Sequence, residues 1–243
     1  MLNIPIVTYT HSSCEDIWPM YFGQLDKYIP NVDSYVISNK LSDKYQNHKF
    51  NLYDEKQPYW KQWVNFLETL DCKYFIYMQE DFILTDRPNF NKLNFYLNFL
   101  DESKKSFVKF IANDLTGFNR IKEDLFDVPC GHPLFYCMQA SIWNRLDFIN
   151  MYKTAKVLDF VERQQYTYAS RKLGLTGSFV YHGQPKRGQH HYDSLIFPII
   201  ATAIIRRKWN YLEYPEELNI LTQEYNIDMN KRGLYNPAER QEW

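Results

Sequence analysis

The chain has 243 residues, with 28 Lys+Arg against 29 Asp+Glu and a formal charge of −1. That balance excludes a protein built for nonspecific binding to nucleic acid or to an anionic membrane. A content of 45% hydrophobic and 23% charged residues excludes disorder. Eight glycines are too few for glycine-rich phosphate loops or for repeats with a turn in every unit.

Residues 4–9 (IPIVTY) are β-branched and apolar and read as a buried first strand. Ser12 or Ser13 can cap the helix that follows, in which Ile17, Met20, Tyr21, Leu25 and Tyr28 recur at helical spacing up to Pro30. Residues 34–38 (SYVIS) form a second short strand. This strand–helix–strand opening predicts a mainly parallel sheet flanked by helices, an α/β/α sandwich. An amphipathic helix is expected over 59–70, a buried strand over 73–78 (KYFIYM) and a helix over 89–100. A strand is expected over 107–111, and 112–133 read as irregular. Residues 134–138 read as short and extended, 139–152 and 160–173 as helical, and 178–181 as a strand. Residues 183–194 read as a polar basic loop, and 215–226 as a last helix. Nothing marks an internal repeat or a linker, so one domain over 1–243 is expected, its halves meeting near residue 110.

Cys14, Cys72, Cys130 and Cys137 have no C-x-x-C spacing, which argues against a zinc ribbon or a thioredoxin-type motif. They read as buried free thiols of a reducing compartment. The N-terminal residues lack a basic segment followed by an apolar one, so no signal peptide is expected. The longest apolar stretch, 195–205, contains Pro198 and Thr202 and is too short to span a bilayer. The expected location is the cytoplasm, of a bacterium or of a cell producing a phage or large virus. Peripheral contact with a membrane is compatible with this reading.

In an open α/β sheet, ligands bind outside the carboxyl ends of the strands. Two polar clusters fall there: residues 8–13 after the first strand, and Gln79, Glu80 and Asp81 after the third. A strand as apolar as KYFIYM has no structural need of adjacent acids, which repel each other unless a cation or donors compensate. A hard divalent ion on oxygen ligands would do so. The alternative is a solvated strand end.

The succession VTYTHSSCEDIW, WKQWVNFLETLDCKYFIYMQEDF, FYCMQASIWNRLDFINM and DFVERQ resembles the GT-A class of nucleotide-sugar-dependent glycosyltransferases over residues 4–212. The resemblance implies a GT-A-like sandwich with a nucleotide-binding half over about 1–110 and an acceptor-side half over about 111–243. It implies a nucleoside diphosphate sugar as donor, a glycan or other hydroxyl as acceptor, and a place in glycan or surface-polysaccharide synthesis. Thr8, Tyr9 and His11 match the nucleotide-binding segment. Gln79-Glu80-Asp81 matches the Asp-x-Asp motif that holds Mn²⁺ or Mg²⁺, with Gln79 standing in place of the first acid. Asp81 is the implied metal ligand, and Glu80 a helper or ribose contact. Glu162 matches the base of the late helix, with Asp159 as fallback, and direct displacement with inversion is implied.

Lys186 and Arg187 are candidates for a lid over the diphosphate, and His190 for completing the metal shell. Trp60 is a candidate stacking residue at the donor, and Gln139 and Trp143 are candidates at the acceptor. Arg206, Arg207 and Lys208 read by default as a solvated strand end. Two further readings stay open: a nucleotidyltransferase, disfavoured because THSSCED has no glycine, and a non-catalytic protein that binds glycan or nucleotide.

Overall fold

A computed structural model describes residues 4–158, 163–188 and 191–238. The first strand, β1 (Ile6–Tyr9), is followed by α1 (Trp18–Tyr28), β2 (Ser34–Ser38), β3 (His48–Leu52), α2 (Tyr59–Leu67) and β4 (Tyr74–Gln79). Next come β5 (Ile83–Leu84), α3 (Phe90–Ser103), β6 (Phe107–Lys109), β7 (Arg120–Lys122), β8 (Leu125–Val128) and β9 (Ser141–Asn144). The remainder comprises α4 (Arg145–Ala155), α5 (Arg163–Leu173), β10 (Gly177–Val180), β11 (Lys186–Arg187), β12 (His191–Tyr192), β13 (Ile199–Ile200), β14 (Ile204–Ile205), β15 (Lys208–Trp209) and α6 (Pro215–Glu224).

The main sheet has the order β3-β2-β1-β4-β9-β6-β10-β8-β7. β3, β2, β1 and β4 are parallel neighbours, and β10 runs parallel to β6. Because β9 is antiparallel to both β4 and β6, those two strands point the same way. Seven strands thus share one direction and only β8 and β9 oppose it. The expected mainly parallel α/β sandwich is the observed fold.

Strand burial follows from helices on both faces. Ile6, Val7, Phe75, Ile76, Phe107, Val108 and Ile142 are completely buried, as strands covered on two sides require. One hydrophobic core runs from α1 to α6 through the sheet.

Several described segments differ from their expected form, among them 134–138, which forms turns and bends where an extended segment was expected, and 183–194, which holds the short β11–β12 pair within the expected loop. Residues 141–144 are not the start of a helix but the antiparallel strand β9. Asn144 accepts hydrogen bonds from the N–H groups of Leu146 and Asp147, so α4 cannot begin earlier. The stretch read as irregular contains the hairpin β7–β8, whose strand β8 pairs with β10. His48–Leu52 carried no strand signal, because its five residues mix charged, polar and apolar types, yet it extends the parallel edge beside β2. Among the described residues no helix is long and apolar enough to cross a membrane.

Candidate functional site

The carboxyl ends of β1, β2, β3 and β4 line one end of the sheet, and the polar clusters meet there. Tyr9, the last residue of β1, stacks on Tyr53 with ring centroids 5.1 Å apart and on Trp63 at 5.6 Å. Its hydroxyl donates to Gln62 of α2 at 2.5 Å. Beyond it, His11 Nε2 lies 2.8 Å from Glu55, and Asn39 donates to Ser12 Oγ at 3.0 Å. His11, Asn39 and Glu55 follow β1, β2 and β3 in turn, so three adjacent strand ends present hydrogen-bonding groups together. Next to them a cavity of about 350 Å³ opens, lined by Tyr53, Asp54, Gln57, Gln62 and Asn65.

The larger cavity, about 640 Å³, has Gln79, Glu80 and Asp81 in its wall. Gln79 ends β4, and Phe82 N–H closes a tight turn onto its carbonyl at 3.0 Å, so the two acids sit on the turn itself. Both carboxyls keep some surface toward the cavity while protein encloses their other sides. Burial, reinforced by the charge of Glu80, pushes Asp81 well above the usual carboxylate range. Burial also raises Glu80, against the donors Cys14 and Thr10 and the charge of Arg232. Cys14 shares this wall, and its thiol is pushed up to about 12 by burial and the neighbouring Glu80.

The opposite wall comes from far along the chain. The amide of Ala203 donates to the carbonyl of Asp81 at 3.1 Å, and the amide of Ile204 donates to its carboxylate. From there β14 and β15 form a hairpin whose two-residue turn, Arg206 and Arg207, lines the cavity. Arg232 fastens this wall to the β1 loop. It donates to both Asp16 carboxylate oxygens at 2.5 and 2.6 Å, to the Ser13 carbonyl at 3.0 Å and to the Arg207 carbonyl at 3.4 Å. Asn113 and Gln139 also line this cavity. Gln139 Oε1 is buried and has no hydrogen-bond partner among the described residues.

The structure brings together Tyr9, His11, Gln79, Glu80, Asp81 and Gln139 at this end of the sheet. Several candidates are placed elsewhere. Thr8 is fully buried and bonded to the Tyr21 hydroxyl at 2.7 Å, so its hydroxyl serves the core and not a ligand. Trp143 is 1% exposed among Phe107, Phe135 and Phe148, which corrects its reading as an acceptor contact. Arg187 is consumed by Asp193, Glu217 and the Glu213 carbonyl, so it ties its loop to α6 and cannot close over a diphosphate. Lys186 is exposed and acts electrostatically on Asp114, near the cavity rim. Trp60 is half-buried on α2 and does not line the large cavity. Glu162, Asp159 and His190 lie outside the described residues.

Sequence reading missed Arg206, Arg207, Arg232 and Cys14 as parts of the site. A short basic run, Arg206-Arg207-Lys208, between apolar Ile204-Ile205 and Trp209 was the available signal for a hairpin turn.

Comparison with protein-family models and with curated proteins gave no match. Solved structures do resemble the chain. TarS from S. aureus superposes with a TM-score of 0.50 at 13% identity, over 92% of this chain and 39% of that one. The fold is that of the GT-A glycosyltransferases. The 1–349 portion of TarS, also solved with UDP, aligns at a TM-score of 0.47 and 14% identity over 92% of this chain and 65% of that one. The galactosyltransferase LgtC, solved with donor and acceptor sugar analogues, aligns at 0.43 and 10% identity over 72% and 73%. The bifunctional IspDF from Campylobacter jejuni aligns at 0.44 and 13% identity over 80% and 52%. The chain therefore spans about two-fifths of that TarS chain.

Proposed function

We propose that this chain is a glycosyltransferase that moves a sugar from a nucleoside diphosphate donor to an acceptor hydroxyl. One observation carries the reading. Two adjacent acids sit on the turn directly after a central parallel strand of a GT-A-like sheet and line a cavity large enough for a nucleotide sugar's reacting half. Tyr9, Tyr53 and the His11–Asn39–Glu55 group offer a ring face and hydrogen-bonding groups for the nucleoside. Gln139 and Asn113, which line the same cavity, would contact the acceptor in this reading.

The acids also fit a divalent ion. Each destabilises the other's charge, and Mg²⁺ or Mn²⁺ is commonly held by one or two carboxylates plus substrate phosphates. Asp81 would be the direct ligand, with Glu80 beside it. Among the described residues no three His, Cys, Asp or Glu side chains converge into a ready-made cage, so the donor's phosphates would complete the coordination. When bound, such an ion supplies positive charge to the departing diphosphate.

The chain's own part is positioning and proton transfer. The acceptor oxygen attacks the anomeric carbon as the bond to the phosphate oxygen breaks, the electron pair leaving on the nucleoside diphosphate. The acceptor proton passes to a carboxylate, which we assign to Glu162, with Asp159 next. The last described residue before them, Leu158, gives its carbonyl to the first N–H of α2 at 3.2 Å, one turn from Gln62, the partner of Tyr9. An acid acting as base on the attacking hydroxyl favours inversion at the anomeric carbon.

Calorimetry with UDP and GDP, with and without Mn²⁺, tests the reading. Binding of one nucleotide that strengthens with Mn²⁺ and is lost in Asp81→Ala is expected. No response to any common nucleoside diphosphate would overturn it and favour a protein that binds glycan without catalysis. A donor-hydrolysis screen across nucleotide sugars would then identify the sugar.

A further inference from the structure

The cavity holds a charge problem that the acids alone cannot solve. Ionised Glu80 and Asp81 bring two negative charges, and a nucleoside diphosphate sugar brings two more. One divalent ion cancels half of them. Two more positive charges are needed on the cavity wall, because unscreened like charges at this spacing are strongly unfavourable away from bulk water.

Among the described residues, the side chains of Arg206 and Arg207 have no hydrogen-bond or ion-pair partner, and both are exposed on this cavity. By contrast Arg187 and Arg232 are each committed to acids. The turn that carries the pair is costly. Arg206 and Arg207 have φ of +52° and +66°, left-handed at both central positions of a two-residue hairpin. Such turns favour Asn-Gly, since a side chain bearing Cβ is strained there. Strained non-glycine residues held by their surroundings concentrate at ligand sites. Here the surroundings are specific: Ile204 N–H holds the Asp81 carboxylate from the same hairpin, and Arg232 holds the Arg207 carbonyl. The hairpin is thus registered against the acids at its base and braced at its tip.

We propose that the Arg206–Arg207 turn is the pyrophosphate-holding element of this chain, its two guanidinium groups gripping the donor's diphosphate oxygens opposite Glu80 and Asp81. This deepens the glycosyltransferase reading and rests on it. It also gives the turn a role in leaving-group stabilisation, since fixed donors aimed at oxygens that gain charge need no rearrangement when the bond breaks.

The test is calorimetry on the double variant Arg206→Asn/Arg207→Gly, whose sequence suits the same turn, and on the single variants Arg206→Gln and Arg207→Gln. The probes are UDP, GDP, the matching nucleosides and inorganic pyrophosphate, each with Mn²⁺. The double variant is expected to bind the preferred nucleoside diphosphate about 30-fold more weakly or worse. Affinity for the nucleoside should change less than twofold, because the base end of the site is untouched. Circular dichroism and thermal melting show whether the variants remain folded, and the single variants decide if the double one does not. Equal nucleoside diphosphate affinity in folded variants and native protein overturns this proposal and leaves the transferase reading standing. Pyrophosphate binding that depends on the turn, without nucleotide binding, supports the turn as a phosphate site and overturns the donor reading. Binding of neither probe by native protein overturns both.

Discussion

The pair Arg232–Asp16 joins two segments 216 positions apart and provides a quantitative test of how the site is held. Arg232 Nε and Nη2 each donate to one oxygen of Asp16, a bidentate arrangement, and the two side chains are only 10% and 32% exposed. Hydrogen bonds to charged groups contribute about 1.5–3 kcal/mol, and part of that is recovered when Asp16 rehydrates in a variant. A coupling of about 2 kcal/mol is therefore expected in the cycle Arg232→Met, Asp16→Asn and their double variant. Methionine keeps most of the arginine stem, so lost packing is minimised. At this chain length about 2 kcal/mol corresponds to a melting temperature lower by about 4–8 °C. Urea unfolding of the four proteins gives the coupling directly. The exposed pair Lys27–Glu224, 47% and 38% exposed, serves as control and should show no measurable coupling. If Arg232–Asp16 couples no more strongly than the control, the reasoning that this bridge fastens the hairpin wall to the β1 loop is wrong.

Three other outcomes are expected. Burial and Glu80 raise the Asp81 carboxyl, so the folded state keeps its proton longer than the unfolded chain does. Below the ordinary Asp value of 3.8 both states are protonated; above it the unfolded chain ionises first and this contribution to stability falls. Asp81→Asn should therefore melt like native protein at low pH and increasingly above it as pH rises; a constant difference across the range would refute the burial argument. Glu162→Gln should bind donor nucleotide normally while transfer falls by about 10²–10⁴-fold, and native turnover would remove the base assignment. Gly177→Ala places a Cβ 2.1 Å from the Phe107 ring between two buried strands, so a loss of about 1–3 kcal/mol by urea unfolding is expected, and an unchanged midpoint would mean the strands separate easily.

The sequence was most informative where local and global demands agreed. IPIVTY, SYVIS and KYFIYM are mostly apolar on consecutive residues because helices cover both faces of the sheet, so their strands could be read directly. The apolar stripes of α1, α2 and α3 were equally plain, but the expected Ser12 or Ser13 cap was not found: Ser12–Cys14 forms a short 3-10 turn and α1 begins only at Trp18, with no side-chain cap. The acids after β4 stood out because burial should have excluded them. Legibility failed where partners lie far away in sequence. β9 resembles a helix start until its neighbours β4 and β6 are known, and β7–β8 form a strand pair only because β10 pairs with β8. Arg187 looked like a phosphate ligand until Asp193 and Glu217 were placed beside it. Arg206 and Arg207 looked like a solvated end because nothing local says that their hairpin leans on Asp81.

The cavity is walled by the loop after β1 on one side and by residues 203–207 on the other. During synthesis, the early part of the sheet can assemble on the ribosome with its acids facing solvent, as N-terminal units often do. The proposed diphosphate grip is incomplete until the hairpin has emerged and Arg232 has reached Asp16. On the reading proposed above, a nascent chain stalled before that point would carry the nucleoside contacts of Tyr9 and Tyr53 but lack the grip on phosphate, so tight diphosphate capture would report that residues 203–232 are in place.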